Sequence, residues 1–229
     1  MKQGFVKVAS ATPRIRVADP VYNAQVICEQ AKEAAEHGAK IVVFPELCIT
    51  GYTCNDLFLQ ELLLEKAKEA LLTIAEETGQ LETLFLVGLP VDKDGRLYNV
   101  AAVLYRGRIL GMIPKKNIPM YAEFYEGRHF TPGEETVTEY RLGKQVIPFG
   151  SNLLFRCEEL PELVLGCELC EDLWVAEPPS TSHALMGATV IANLSASNET
   201  VSKDDYRTLL IKASSARLLC GYIYTSAGE

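Results

Sequence analysis

The amino-acid sequence predicts a layered α/β domain on three observations. Short runs of β-branched and other apolar residues alternate along the chain with longer segments whose apolar residues recur at helical spacing. Glycine and proline residues mark the boundaries between these segments. The 229 residues show no internal repeat, linker or low-complexity tract, so we expect one domain over 1–229.

Four segments predict helices. The first begins at Asp19-Pro20, since Asp can cap a helix and Pro suits the first helical position, and it ends at Gly38. The other three are residues 60–78, 181–186 and 203–219. The second and fourth helices end near Gly79 and Gly221, residues typical of helix ends.

Nine segments predict strands, mostly short and rich in Val, Ile and Leu. They are residues 2–10, 40–44, 84–89, 97–105, 109–113, 152–156, 163–167, 189–194 and 222–226. Tight-turn residues at Asp94-Gly95 and Arg106-Gly107 predict that the third, fourth and fifth strands pair as hairpins.

Composition excludes several classes of protein. The formal net charge is −8 and no Lys/Arg run is present, which argues against nucleic acid and anionic membranes as partners. No export signal or long apolar span appears, so we expect a cytoplasmic protein. The seven cysteines are odd in number and irregularly spaced, which indicates free thiols, and the three histidines show no metal-ligand spacing.

Three polar residues lie just beyond the ends of predicted buried strands: Glu46, Lys115 and Cys170. Side chains at the carboxyl ends of core strands converge on one crevice in α/β folds. A carboxylate that takes the thiol proton, a cation that favours thiolate and oxyanion, and a sulfur nucleophile suit attack on a carboxamide. The backbone N–H of Glu171 is a natural second oxyanion donor.

Each of these residues also has an ordinary interpretation. Surface Glu and Lys are common, and a single Cys is more often a buried small hydrophobe than a nucleophile. Cys167 and Cys170 form one C-x-x-C pair, but a redox role needs a thioredoxin-like context and a zinc site needs a second ligand pair. A Cys–His pair is a further possibility, although Glu46 is the better-placed base.

Three ordered motifs resemble those of the nitrilase superfamily. They are VFPEL at 43–47 followed by TGY at 50–52, PKKNIP at 114–119, and GCELCED at 166–172. Within that superfamily the chain is most similar to the glutaminase domain of glutamine-dependent NAD synthetases. YAEFYEGRHF at 121–130, CEDLW at 170–174, NLSAS at 193–197, SAR at 215–217 and AGE at 227–229 carry this similarity.

The resemblance implies an α-β-β-α sandwich of two sheets with helices outside. It also implies that Glu123, eight residues after Lys115, is a supporting catalytic glutamate. Further residues match positions that line the glutamine pocket of the family; they are Tyr121, Phe124, Glu171, Ser197 and Lys203. Some members carry Arg where this chain has Lys203, which offers a point charge rather than a planar fork.

The resemblance implies glutamine as substrate and ammonia as the product passed to a synthetase domain that this chain lacks. We expect the sequence to be cut short at its C-terminal end, after the strand 222–226. No phosphate-binding G-x-x-x-x-G-K-[ST] loop is present, so ATP and Mg are expected for the absent domain, with no cofactor in this chain. Relatives associate through the helical layer, so a homo-oligomer is expected.

Two other functions remain open at the level of sequence. One is a stand-alone nitrilase-type carbon–nitrogen hydrolase acting on a different small amide or nitrile, since the same three residues would serve it. The other is a catalytically silent domain that keeps the fold for assembly, against which the intact Glu46, Lys115 and Cys170 argue.

Overall fold

The computed structural model describes residues 4–228. Residues 2 and 3 of the predicted strand 2–10, and Glu229, lie outside the described residues. The helices are α1 (Pro20–Glu36), α2 (Glu61–Glu77), α3 (Pro179–Leu185) and α4 (Lys203–Leu218). All four predicted helices are thus confirmed, with ends shifted by one or two residues.

The first seven strands form one sheet. They are β1 (Val8–Ser10), β2 (Ile41–Val43), β3 (Leu84–Lys93), β4 (Arg96–Tyr105), β5 (Arg108–Pro114), β6 (Thr138–Leu142) and β7 (Gln145–Phe149). Their order is β1-β2-β3-β4-β5-β7-β6. The first three run parallel, and β3, β4 and β5 pair as the two antiparallel hairpins that the turn residues predict.

Four further strands form the second sheet. They are β8 (Leu154–Arg156), β9 (Val164–Leu169), β10 (Val190–Ser195) and β11 (Gly221–Ser226), in the order β11-β10-β9-β8. The last three are parallel to one another. β9 and β10 are buried along almost their whole length, which fits strands that are covered on both faces.

The two sheets pack face to face with helices outside. Side chains from both sheets share one buried cluster, which includes Val43 and Ile113 of the first sheet and Leu169 and Leu194 of the second. A second cluster joins α1 and α2 to the other face of the first sheet, and α3 lies against β9 on the outer face of the second. The α-β-β-α sandwich is therefore confirmed.

The β6–β7 hairpin was missing from the sequence prediction. Only alternate residues of these strands are buried, among them Tyr140, Leu142 and Ile147, and the outward positions are polar apart from Val146 and Pro148. Such strands carry few apolar residues, so their signal is weak beside that of the core strands.

Candidate active site

Three of the four predicted catalytic residues, Glu46, Lys115 and Cys170, lie just beyond the carboxyl ends of strands. Glu46 follows β2 by three residues, Lys115 directly follows β5, and Cys170 directly follows β9. The turn after β10 reaches the same place, because the backbone N–H of Glu46 donates to the carbonyl of Ser195 at 3.3 Å. Packing of the two sheets therefore brings Glu46 and Lys115 from one sheet to Cys170 of the other.

Glu46 is held by three donors in a fully enclosed position. One carboxylate oxygen, Oε1, accepts from Lys115 Nζ and from Asn99 Nδ2, both at 2.7 Å. The other, Oε2, accepts from the backbone N–H of Ala196 at 3.0 Å. Burial raises the pKa of Glu46 to about 7, against the opposing effect of Lys115. A carboxyl group tuned in this way suits proton transfer at neutral pH.

Lys115 has no solvent-exposed surface, and its ammonium contacts two carboxylates. Nζ lies 2.7 Å from Glu46 Oε1 and 2.6 Å from Glu126 Oε1. Burial alone lowers the pKa of Lys115, but the charges of Glu46, Cys170 and Glu126 raise it above its ordinary value. The side chain is therefore a permanent cation within the site.

Glu126, rather than the predicted Glu123, supplies the carboxylate that supports Lys115. Glu126 is buried and also accepts from Tyr52 OH at 2.7 Å. Glu123 is exposed and accepts from Asn198 instead. The prediction counted residues along an irregular loop, and a 3₁₀ turn at Glu126–Arg128 is what directs the later glutamate inward.

Cys170 begins a 3₁₀ turn, Cys170–Leu173, and takes a left-handed backbone conformation with φ of 41°. Residues other than glycine seldom adopt this conformation, and it is frequent at functional sites. Burial raises the pKa of the thiol to about 12, together with the charge of Glu46. Lys115 and the backbone N–H of Ala196 act in the opposite direction. A base is therefore needed to remove the thiol proton at neutral pH.

The residues predicted to bind substrate lie together around this group. Tyr121 OH donates to Glu171 Oε2 at 2.8 Å, and the Tyr121 ring meets the Phe124 ring edge-on at 5.7 Å. Lys203 Nζ lies 5.5 Å from the centre of the Phe124 ring and also donates to Asn198. Ser197 adjoins Ala196, and its backbone N–H donates to Ser226 Oγ at 3.1 Å. The structure thus places aromatic, acidic and basic groups near the thiol.

Sequence reasoning missed Asn99, Ala196, Tyr52 and Glu126. Asn99 had a usable signal, because it is a lone amide within the otherwise apolar segment LYNVAAVL at 97–104. A buried amide in a core strand needs hydrogen-bond partners, and here it donates to Glu46. Ala196 contributes only its backbone, so its residue type gave no signal.

Within residues 4–228, no group of three or more His, Cys, Asp or Glu side chains is arranged to hold a metal ion. The helices of the same range lack the length and apolar character needed to cross a lipid bilayer. Cys167, the partner of Cys170 in the C-x-x-C pair, is a free buried thiol in the cluster between the two sheets.

The sequence profile of the carbon-nitrogen hydrolase family matches residues 7–225. The chain belongs to this family. Over its whole length it is 42% identical to the glutamine-dependent NAD(+) synthetase of Mycobacterium tuberculosis, of which it covers 34%. The chain therefore spans about a third of the length of that curated relative.

Solved structures show the same carbon-nitrogen hydrolase architecture. A glutamine-dependent NAD(+) synthetase from Cytophaga hutchinsonii superimposes with a TM-score of 0.87 and 29% identity, covering 98% of this chain and 36% of that one. An amidase from Nesterenkonia sp. superimposes with a TM-score of 0.71 at 19% identity, covering 98% and 78% of the two chains. The second likeness concerns the fold alone.

Membership in this family indicates which kind of reaction the buried group of Glu46, Lys115 and Cys170 would serve. Its profile extends from residue 7 to residue 225, so it includes the turns that carry Glu46, Lys115 and Cys170. A carbon-nitrogen hydrolase cleaves bonds between carbon and nitrogen. A buried thiol beside a carboxylate and an ammonium provides the nucleophile, base and cation for such a cleavage.

Proposed function

We propose that this chain hydrolyses the side-chain amide of glutamine through a thioester on Cys170. The observation that carries the proposal is the enclosed ion pair of Glu46 and Lys115 beside the thiol, whose pKa responds to both charges. The names of its relatives, glutamine-dependent NAD(+) synthetases, support glutamine as the substrate.

The proposed reaction begins with proton transfer from Cys170 to Glu46. The sulfur forms a bond to the amide carbon, and the carbonyl oxygen becomes an oxyanion. Lys115 has three N–H bonds, of which two serve Glu46 and Glu126, so we assign the third to the oxyanion. The backbone N–H of Glu171 is the second donor that we assign to it.

Collapse of the tetrahedral intermediate breaks the carbon–nitrogen bond. Glu46 returns its proton to the departing nitrogen, which leaves as ammonia, and the acyl group stays on Cys170 as a thioester. Glu46 then takes a proton from water, whose oxygen attacks the thioester carbon. Glutamate leaves, and the proton returns to the sulfur.

Recognition of glutamine needs partners for an ammonium and a carboxylate as well as for the amide. Glu171 offers an acceptor for the ammonium, while Lys203 and the Ser197 hydroxyl offer donors to the carboxylate. Tyr121 and Phe124 form an aromatic side that suits the methylene groups. This arrangement would reject amides that lack the two charged groups.

We further propose that the ammonia is used by a synthetase domain of the longer protein, which amidates deamido-NAD to NAD with ATP and Mg. The support is that the matched relatives are about three times longer than this chain and are named for glutamine-dependent synthesis of NAD(+). A cytoplasmic location stays a prediction from sequence.

Self-association through the outer layer of helices is the proposed assembly. Helix α4 buries only Arg207 and Ser214 among its residues and presents Tyr206 and Leu209 to solvent. Exposed apolar side chains on one helix suit a symmetric contact between copies. Light scattering of wild type and Leu209→Glu tests it: a smaller mass for the variant is expected, and a monomeric wild type would overturn it.

The test of the catalytic proposal is steady-state ammonia release from glutamine, asparagine, small aliphatic amides and nitriles. We expect glutamine to be preferred and Cys170→Ala to abolish the reaction. Cys157→Ala is the matched control, because Cys157 is a free thiol outside the catalytic group. Equal rates for all amides would favour the stand-alone hydrolase, and no release with an unreactive Cys170 would favour the silent domain.

A separate test concerns the longer protein. With a synthetase domain attached, Cys170→Ala should lose glutamine-driven NAD formation while added ammonium still supports it. Glutamine-driven turnover that persists in this variant would refute the assignment of Cys170.

A further inference from the structure

Asp172 and Asn117 join the two chain segments that carry the nucleophile and the lysine. Asp172 lies two residues after Cys170, and Asn117 lies two residues after Lys115. Asp172 Oδ1 accepts from both the backbone N–H and the side-chain Nδ2 of Asn117, each at 2.8 Å. The contact therefore links the two sheets at the segments that follow β5 and β9.

The second oxygen of Asp172 reaches back over the nucleophile turn. Oδ2 accepts from the backbone N–H of Leu169 at 3.0 Å. Leu169 precedes Cys170, so the carboxylate fixes the backbone on both sides of the nucleophile. Between these two points Cys170 takes its left-handed conformation, which an unrestrained chain would leave for a commoner one.

The carboxylate of Asp172 is enclosed, with 1% of the residue exposed. Water is therefore a poor replacement for any of its three hydrogen bonds, and each donor left without its acceptor carries a desolvation cost. The donors are neutral amide groups, and hydrogen bonds from such groups to an ionised acceptor are stronger than those between neutral partners.

We propose that Asp172 is a positioning residue that holds Cys170 in its left-handed turn and fixes the sulfur relative to Lys115 through Asn117. The inference rests on the proposed function only in taking Cys170 as the nucleophile. Asp172 itself touches no reacting atom. Its effect is on geometry, because a small displacement of the sulfur from the line of attack slows the chemical step without changing how substrate is held.

The principal variant is Asp172→Asn, which keeps the shape of the side chain. Asparagine has one oxygen and one NH₂ group, so it cannot accept from Leu169 and Asn117 together. We expect kcat for glutamine to fall on the order of 10²-fold with little change in KM. Alkylation of Cys170 by iodoacetamide should also slow, and the pH profile of that alkylation should move.

The second variant, Asn117→Ala, removes the Nδ2 donor and leaves the backbone N–H in place. Its expected loss in kcat is about tenfold. Because both changes act on one interaction, Asp172→Asn combined with Asn117→Ala should be no slower than Asp172→Asn alone. Losses that multiply in the double variant would overturn the proposal, since the two residues would then act independently.

Thr83→Val is the control for a general loss of stability. Thr83 is buried and donates to the carbonyl of Ala39 at 2.8 Å, at the opposite ends of β2 and β3 from the site. We expect Thr83→Val to lower Tm while kcat and alkylation stay as in wild type. An Asp172→Asn variant that loses Tm but keeps kcat and alkylation would reduce Asp172 to a structural role and overturn the proposal.

Ammonia release and alkylation of Cys170 are separate measurements, so failure of this inference can be told apart from failure of the proposed function. If wild type fails to release ammonia from glutamine, the proposed function fails, while slowed alkylation in Asp172→Asn still supports the positioning role. If Asp172→Asn does not fold, Asn117→Ala carries the test, and unchanged alkylation and kcat in that variant would overturn the inference.

Discussion

Lys115 and Glu126 form a buried ion pair in which Nζ and Oε1 are 2.6 Å apart. The same oxygen accepts from Tyr52 OH at 2.7 Å, and Asn99 Nδ2 approaches the other carboxylate oxygen at 3.3 Å. Glu126 is therefore held from several sides and in turn restrains the ammonium next to Glu46. Because Glu126 is itself restrained, this ion pair fixes the direction in which the Lys115 side chain points.

Glu126→Gln and Glu123→Gln form a matched pair of variants on the same loop. We expect Glu126→Gln to lower kcat on the order of 10²-fold, because the Lys115 ammonium loses a charged partner and is no longer held in the orientation that stabilises the oxyanion. Glu123→Gln removes an exposed carboxylate and should leave kcat within about threefold of wild type. Steady-state ammonia release measures both, and a larger loss for Glu123→Gln would contradict the assignment.

The meeting of Glu46, Lys115 and Cys170 was predictable, because the ends of buried strands leave a clear pattern in the sequence. Glu46, Lys115 and Cys170 each follow an apolar run that ends within three residues of them. Glu126 was not predictable in this way, because it lies in an irregular loop where spacing along the chain does not determine which side chains point inward. The contact of Asp172 with Asn117 joins residues 55 apart in sequence, and no local pattern signals it.

The strands show the same difference between features that a local sequence pattern reveals and features that it does not. The parallel strands β9 and β10 are buried almost throughout and are predicted from the sequence, while the half-exposed β6 and β7 are missed. The order of strands in the first sheet was not predicted from the sequence either, since β7 lies between β5 and β6. That order depends on which strands find partners in three dimensions, and pairing of this kind leaves no periodic trace in one sequence.

The pH dependence of the reaction should have an acid limb set by Glu46. Its pKa is raised to about 7 by burial, and the ionised form is the one that accepts the thiol proton. We therefore expect kcat/KM to fall about tenfold per pH unit below that value. Asn99 donates to Glu46 and lowers its pKa, so Asn99→Leu should move the limb to higher pH. A rate that is flat from about pH 5 to 8 would rule out Glu46 as the base.

Gly88 of β3 lies against the turn that carries Glu46. A Cβ atom at this position would come within 2.7 Å of Pro45 O and 2.8 Å of the Glu46 carbonyl carbon. Both are backbone atoms, so the turn itself must move. We expect Gly88→Ala to lower the free energy of unfolding by about 1–3 kcal/mol and to reduce kcat. Gly95→Ala is the control for glycine replacement itself. A Cβ atom at Gly95 would meet open space, but the positive φ of this residue is strained for alanine. The free energy of unfolding should therefore fall while kcat stays as in wild type.

Replacing Lys115 by Met should make stability strongly pH-dependent. The ammonium lowers the pKa of Glu46, and the charge of Glu126 raises it, so without Lys115 the folded pKa of Glu46 moves further above its unfolded value. A raised folded pKa gives stability that is present at low pH and lost as pH rises through that pKa. We expect Lys115→Met to cost about 3–5 kcal/mol at pH 8 and much less at pH 5, by urea unfolding. Adding Glu126→Gln removes the neighbouring like charge and should restore part of the loss at pH 8. An equal loss at both pH values would show that Lys115 stabilises the fold by packing rather than by charge.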